Sequence, residues 1–260
     1  MTVIPQAIFD CGTILDRSPG FDDRLANAVS ELLLRLEPSA DDTLVALPIG
    51  KRNWAVVQTR GSMFGVLAVP SPAYQLIADP FLIAQQLPAD FGSRFPLSNL
   101  MLDVSPPQRR LDSLRAILKS DDGATLLGAA QALVDGGRVV FERPKPAPET
   151  LQRLWLLLPE SSRGELRVAT FAVNNELGFD LLVTPKAKGA SFVGCLTDTQ
   201  AGDYPQGRYE LNLQIAVESG DEVGLSRLLA RRSSRQALRL MLHILILAVI
   251  VGLASRILLR

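Results

Sequence analysis

Histidine is all but missing from this chain. Its single copy, His243, lies inside the most apolar stretch of the sequence. The polar part therefore has no imidazole for a Ser-His-Asp relay, a Cys-His pair or a His-ligated zinc. One isolated titratable group in an apolar run makes no relay, so His243 reads as an interfacial or helix-packing residue. Cysteine is nearly as scarce. Cys11 and Cys195 are far apart and neither belongs to a Cys-x-x-Cys pair, which indicates neither a disulfide framework nor a zinc knuckle. Both are expected to be free buried thiols in a reducing compartment. The sequence also lacks a Gly-x4-Gly-Lys-Ser/Thr loop and a Gly-x-Gly-x-x-Gly loop between strand and helix, so no P-loop or dinucleotide cradle is legible. Asp135-Gly136-Gly137-Arg138 precedes a strand pattern, not a helix N-terminus, and reads as a turn.

Charge of one sign is absent in total but not locally, since 27 acidic residues balance 27 basic ones. Every acidic residue lies at or before Glu222, whereas seven arginines follow from Arg227 onward. The body is thus acidic and the C-terminal stretch basic. An acidic body argues against nonspecific nucleic-acid binding, and no nucleic-acid partner is expected. The paired carboxylates Asp22-Asp23, Asp41-Asp42 and Asp121-Asp122 abut helix or strand boundaries, where Asp satisfies free N–H groups. They are read as caps and solvated turns, not metal or acid–base sites. Arg109-Arg110 and the two tryptophans, Trp54 and Trp155, are read as helix-face and core residues. No catalytic residue, cofactor or metal ligand is singled out.

What the chain has in abundance is apolar sequence at its C-terminal end. Ala237 to Leu259 is almost wholly Leu, Ile, Val, Ala and Met, and as a helix it would be roughly 34 Å long, against about 30 Å of bilayer hydrocarbon. Arg239 and Arg256 bound the uncharged core, Leu240 to Ser255, and their long stems can bury while the guanidinium groups reach the headgroups. Leu247 marks the centre. The expectation is a C-terminal transmembrane anchor, with the preceding part facing the cytosol because the arginines before the span outnumber those at and beyond it. The opening Met-Thr-Val-Ile-Pro-Gln lacks a basic n-region and an apolar h-region, so no export signal is expected. Arg231, Arg232 and Arg235 are positioned to contact anionic lipid headgroups. Ala248-x-x-x-Gly252 puts two small residues on one helix face, the pattern of a self-associating span.

Periodicity predicts an α+β chain, with antiparallel sheets and flanking helices, followed by the single transmembrane helix. Strands are predicted at Val3–Phe9, Thr43–Pro48, Asn53–Thr59 and Phe64–Val69, the last three forming a meander around Gly50-Lys51-Arg52 and Arg60-Gly61-Ser62. Helices are predicted over Asp22–Leu36 and from Ser71 through about Leu87. A Pro/Gly/Ser/Asp-rich stretch between Leu87 and Pro107 suggests a boundary. Beyond it the pattern gives helices at Gln108–Leu118, Ala124–Val134, Glu149–Leu158 and Glu210–Glu218, and a strand at Arg138–Glu142. Leu166–Val173 and Phe179–Thr184 read as paired strands around Asn174–Gly178. The expected organisation is an α+β domain over 1–104, a second over 105–222, a basic stalk over 223–238 and the anchor over 239–260.

Several short strings occur together: Gln6-Ala-Ile-Phe9, Ser18-Pro-Gly20, Ala46-Leu-Pro48, Asp79-Pro-Phe81, Leu156-Leu-Leu-Pro159 and Thr170-Phe171. Over about residues 5 to 185 they resemble the N-terminal and middle domains of the bacterial GTPase-associated protein family. The chain departs from that family's aromatic-rich stretch around Pro19 to Asp23 and carries an apolar tail in place of a long C-terminal region. The resemblance implies a noncatalytic companion of a GTPase-centred system and carries no active-site residues across. The leading expectation is a tail-anchored, cytosol-facing adaptor at a single-pass membrane location, the inner membrane in a bacterium. Its expected partners are membrane lipids, a protein such as a GTPase or its regulator, and a second copy through the anchor. A membrane-tethered enzyme using carboxylate, Arg and Ser chemistry is the alternative, and a structural membrane protein the third reading.

Overall fold

Runs of consecutive apolar residues build the centre of this molecule. The computed structural model describes residues 2–36, 42–88, 91, 96–103 and 109–230. Strands β4 (Leu44–Ile49), β5 (Asn53–Arg60) and β6 (Met63–Pro70) form the predicted meander, with Arg60 opposite Met63 across the tight Gly61-Ser62 turn. They send Ala46, Val56 and Leu67 into one core and Val45, Val57 and Val66 into another. Both faces of the sheet are therefore buried, as a period of two requires where successive positions are apolar. Helix α1 (Asp23–Arg35) covers the second face with Ala26, Val29, Leu32 and Leu33, and Asp22 caps it by accepting the Leu25 N–H at 2.8 Å.

The N-terminal apolar run is not one strand. Pro5 divides it into β1 (Thr2–Ile4) and β2 (Gln6–Asp10), which join different sheets. β1 pairs with β7 (Leu100–Leu102), while β2 lies between β6 and β3 (Thr13–Arg17). The β2–β3 turn places Cys11 at φ 46° and Gly12 at φ 84°, the left-handed pair that a two-residue hairpin needs. Cys11 is consequently exposed, not buried, and Cys195 is half-buried.

The predicted helix from Ser71 is also two. Helix α2 (Ser71–Ile77) stops where Ala78 takes φ 49°, and α3 (Pro80–Ala84) restarts behind Asp79, which caps it by accepting the Leu82 N–H at 3.0 Å. A residue before proline is disfavoured in the helical region, so the break falls at Asp79-Pro80.

The second half corrects the expectation of antiparallel pairing. Helices α4 (Leu111–Leu118), α5 (Gly123–Val134), α6 (Pro148–Leu157) and α7 (Glu160–Arg163) surround β8 (Arg138–Glu142), β9 (Val168–Ala169), β10 (Leu181–Thr184) and β11 (Cys195–Thr197). All four of these strands pair in parallel, in the order β11-β8-β10-β9. The segment from Asn174 to Gly178 is not a hairpin turn but part of a crossover that returns the chain to the same end of the sheet. Buried Asn175 ties it down, accepting the Phe179 N–H at 2.6 Å and donating to the Phe179 carbonyl at 3.1 Å. β9 then pairs antiparallel with β4, so one nine-stranded mixed sheet runs from β11 to β3. Helices α8 (Asp198–Gly202), α9 (Arg208–Ser219) and α10 (Glu222–Leu229) complete the described chain, and the larger core gathers residues from α2 to α6 and α8 to α10 on one side of the sheet. No helix among the described residues is long and apolar enough to cross a membrane.

Candidate functional site

The most unusual chemistry lies where α6 ends. The last carbonyls of a helix have no partner within it and must be satisfied from elsewhere. Tyr209, near the start of α9, donates its hydroxyl to the Leu157 carbonyl, and Arg109 Nη1 donates to the Leu158 carbonyl at 2.6 Å. Arg109 Nη2 also reaches Glu160 Oε1 at 3.1 Å, with the arginine side chain only 5% exposed and the glutamate 55%. On the neighbouring side, Trp155 Nε1 donates to the Ala78 carbonyl at 2.8 Å, fixing the link between α2 and α3. Trp54 stacks on Tyr74 with ring centroids 4.1 Å apart and planes within 6°. Both tryptophans are thus core residues, as expected.

Arg163, the last residue of α7, is wholly buried, and its Nε and Nη1 atoms meet no acceptor among the described residues. The buried Tyr74 hydroxyl likewise has no partner there. Burial lowers Arg163 to about 10, with the nearby charge of Arg109 pushing the same way and Asp79, Glu160 and Tyr209 opposing. It remains a cation at neutral pH. Burial also lowers Arg109, against the pull of Tyr209 and Glu160. Asp79 is raised by burial, although the Leu82 N–H and the charges of Arg163 and Arg109 favour its ionised form. Burial raises Tyr74 and Tyr209, so both phenols stay neutral. The cluster thus combines two buried cations, one buried carboxyl and donors left unspent. Unpaired buried donors are costly and are normally satisfied.

A groove of about 610 Å³ opens beside this cluster, between the start of α4, α7 and α10; Arg109, Arg110, Asp112, Glu160, Glu222 and Leu225 are among its walls. Arg110 occupies the N-cap position of α4 and supplies no side-chain acceptor for the first-turn N–H groups. Two arginines and three carboxylates thus line this groove. The chain matches no model of a known protein family and no curated protein.

The residues singled out from sequence are dispersed or out of view. Arg231, Arg232, Arg235, Arg239, Leu240, Leu247, Ala248, Gly252 and Arg256, with His243, lie outside the described residues. Of the carboxylate pairs, Asp22 caps α1, Asp23 pairs with Arg17 at 2.6 Å, and Asp122 pairs with Arg153 at 2.8 Å. Asp42 lies at φ 59° with its N–H on the Thr59 carbonyl, and Asp41 lies outside the described residues. These described carboxylates do not converge, and no group of three His, Cys, Asp or Glu side chains among the described residues is arranged around a metal-sized space. Arg109 corrects the helix-face reading, because it precedes α4 and turns inward. Arg163, Tyr74, Asp79 and Tyr209 escaped sequence reasoning. Only Asp79-Pro80 carried a signal, the cap-then-proline pattern of a helix start.

Proposed function

We propose that this chain is a membrane-tethered adaptor whose α+β body faces the cytosol and binds another protein. The observation that carries the reading is the apolar run Ala237–Leu259, with Arg227, Arg231, Arg232, Arg235 and Arg239 before its core and Arg256 and Arg260 at or beyond its end. The commitment of Asp22, Asp23 and Asp122 to caps and ion pairs favours binding over acid–base chemistry. The resemblance of the short strings over about residues 5 to 185 suggests a GTPase or its regulator as the protein partner. Ala248-x-x-x-Gly252 makes self-association through the span part of the proposal.

Proximity labelling in native membranes tests this, comparing the natural chain with one whose residues 239–260 are replaced by an unrelated span. One dominant protein partner recovered with both chains places recognition in the body. Recovery of no partner with either chain refutes the adaptor reading.

A further inference from the structure

We propose that the carboxyl ends of β8 and β10 carry a basic rim that docks an acidic, extended segment of the protein partner. This deepens the adaptor reading above and rests on it. Two connections leave the sheet here, residues 143–148 after β8 and residues 185–194 after β10; between them they carry Arg143, Lys145, Lys186 and Lys188 and no carboxylate. Hydrogen bonds draw the four together. The Arg143 N–H reaches the Thr184 carbonyl at the end of β10 at 2.9 Å, and the Ala147 N–H reaches the Thr170 carbonyl just past β9 at 3.4 Å. The stretch around Lys145 therefore crosses the end of β10. After β10 the chain turns the other way, and the Ala187 N–H donates to Glu142 Oε1 at 2.8 Å, which holds the stretch from Lys186 to Lys188 at the end of β8. With neighbouring strands about 4.8 Å apart, the rim is about 10 Å wide.

Topology and charge point to this rim independently. The connection after β8 passes over one face of the sheet, where α6 puts Leu151 and Leu154 into the larger core; the connection after β10 passes over the other, where Phe192 joins the smaller core. Open α/β sheets bind their ligands outside the carboxyl ends of the strands, where connections diverge in this way. Of the carboxylates beside the rim, Asp198 is paired with Arg143 at 2.6 Å, Glu142 accepts the Ala187 N–H, and Glu149 lies in the first turn of α6. Lys145, Lys186 and Lys188 are exposed, and their side chains form no ion pair or hydrogen bond among the described residues. They are three of the chain's five lysines, gathered on a body that has 27 acidic and 20 basic residues up to Glu222. A long polyanion such as nucleic acid would meet that acidic surface, whereas a short acidic segment meets the rim alone. An extended segment advances about 3.3 Å per residue, so carboxylates two or three residues apart match ammonium groups spread over about 10 Å.

The test uses the full chain in native membranes and a carbodiimide, which joins a lysine amine to a carboxylate in direct contact and adds no spacer. Cross-linked peptides are read by mass spectrometry, with exposed Lys51 and Lys119 as controls elsewhere on the surface. The variant is K145E/K186E/K188E, which changes side chains that have no bonds of their own, and its thermal midpoint is compared with that of the natural chain. Cross-links from Lys145, Lys186 or Lys188 to Asp or Glu of one partner protein, with recovery of that partner about tenfold lower in the variant, support the rim. Equal recovery by the variant, or cross-links from Lys51 and Lys119 alone, overturns the rim and leaves the adaptor reading standing. Recovery of nucleic acid in place of a protein overturns it as well. No partner with the natural chain refutes the adaptor reading and the rim with it. The cross-link map needs only the natural chain, so it decides the matter even where the variant unfolds.

Discussion

Replacing Gly128 with alanine sets two effects of known size against each other. Gly128 lies inside α5, where alanine is preferred over glycine by about 1 kcal/mol. Propensity alone therefore predicts a more stable protein. The packing predicts the reverse, because a Cβ at this position would stand 2.0 Å from the Ala201 carbonyl oxygen and 3.1 Å from its carbon. Real Cβ atoms do not come within 3.0 Å of such a neighbour, so α5 and α8 would have to part by at least 1 Å. Helix α8 cannot yield cheaply. Its start is held by the Thr197–Gln200 capping box, β11 before it pairs with β8, and Ala201 is fully buried. Overpacking costs about 1–3 kcal/mol, and an obstacle made of main chain puts this site at the upper end. The expected net effect is a loss of about 2 kcal/mol, or a melting temperature lower by roughly 4–8 °C at this chain length. Urea and thermal unfolding of the full chain in nonionic detergent measure it. An unchanged or raised midpoint would refute the close approach of α5 to α8.

Three other perturbations follow from named contacts. Arg153 grips Asp122 through a fork, Nη1 to Oδ2 at 2.9 Å and Nη2 to Oδ1 at 2.8 Å, with both side chains about one-third exposed; R153A should cost about 0.5–1 kcal/mol at pH 7 after solvent screening. Burial pushes Asp122 upward, but hydrogen bonds from Ser120 and Arg153 together with the charge of Arg153 leave it below the usual carboxylate value. The pair's contribution is therefore complete above the unfolded Asp value of about 3.9 and disappears as pH falls through the lower folded one. Midpoints of wild type and R153A measured against pH should converge in acid, and a constant gap would contradict the pairing. Tyr209→Phe removes the donor from the Leu157 carbonyl and should cost about 1–3 kcal/mol in denaturant unfolding, the cost of a buried acceptor left alone; no loss would mean the carbonyl is satisfied elsewhere. Leu247→Arg should cost about 2.5–3.5 kcal/mol of insertion and move the chain to the soluble fraction, and retention as firm as wild type would refute the span.

Much of the secondary structure was legible because its causes are local. The apolar runs of β4 to β6, the spacing of Val29, Leu32 and Leu33 in α1, the Asp22 cap and the Gly136 turn each depend on neighbours a few residues away. Misreadings occurred where the deciding contact is distant. Asn174–Gly178 has the composition of a hairpin turn, yet the pairing of β9 with both β10 and β4 makes it a crossover. A run of apolar residues specifies that a strand is buried on both faces, but not which neighbour it takes or in which direction. Cys11 looked like a core thiol until hairpin geometry put it at a turn apex.

The candidate site was the least legible part. Its groups come from α2, the α2–α3 link, the start of α4, α7 and α9, and each alone is an ordinary surface-type residue. By itself the sequence determined the mixed α and β composition, the acidic body, the basic stretch and the long apolar run that frames the membrane proposal. Only the tertiary structure decided that four strands run parallel, that one sheet joins both halves, and that Arg163 is sealed from water. Periodicities of 2.0 and 3.6 residues act within a segment, whereas burying a charge takes several segments closing around it at once.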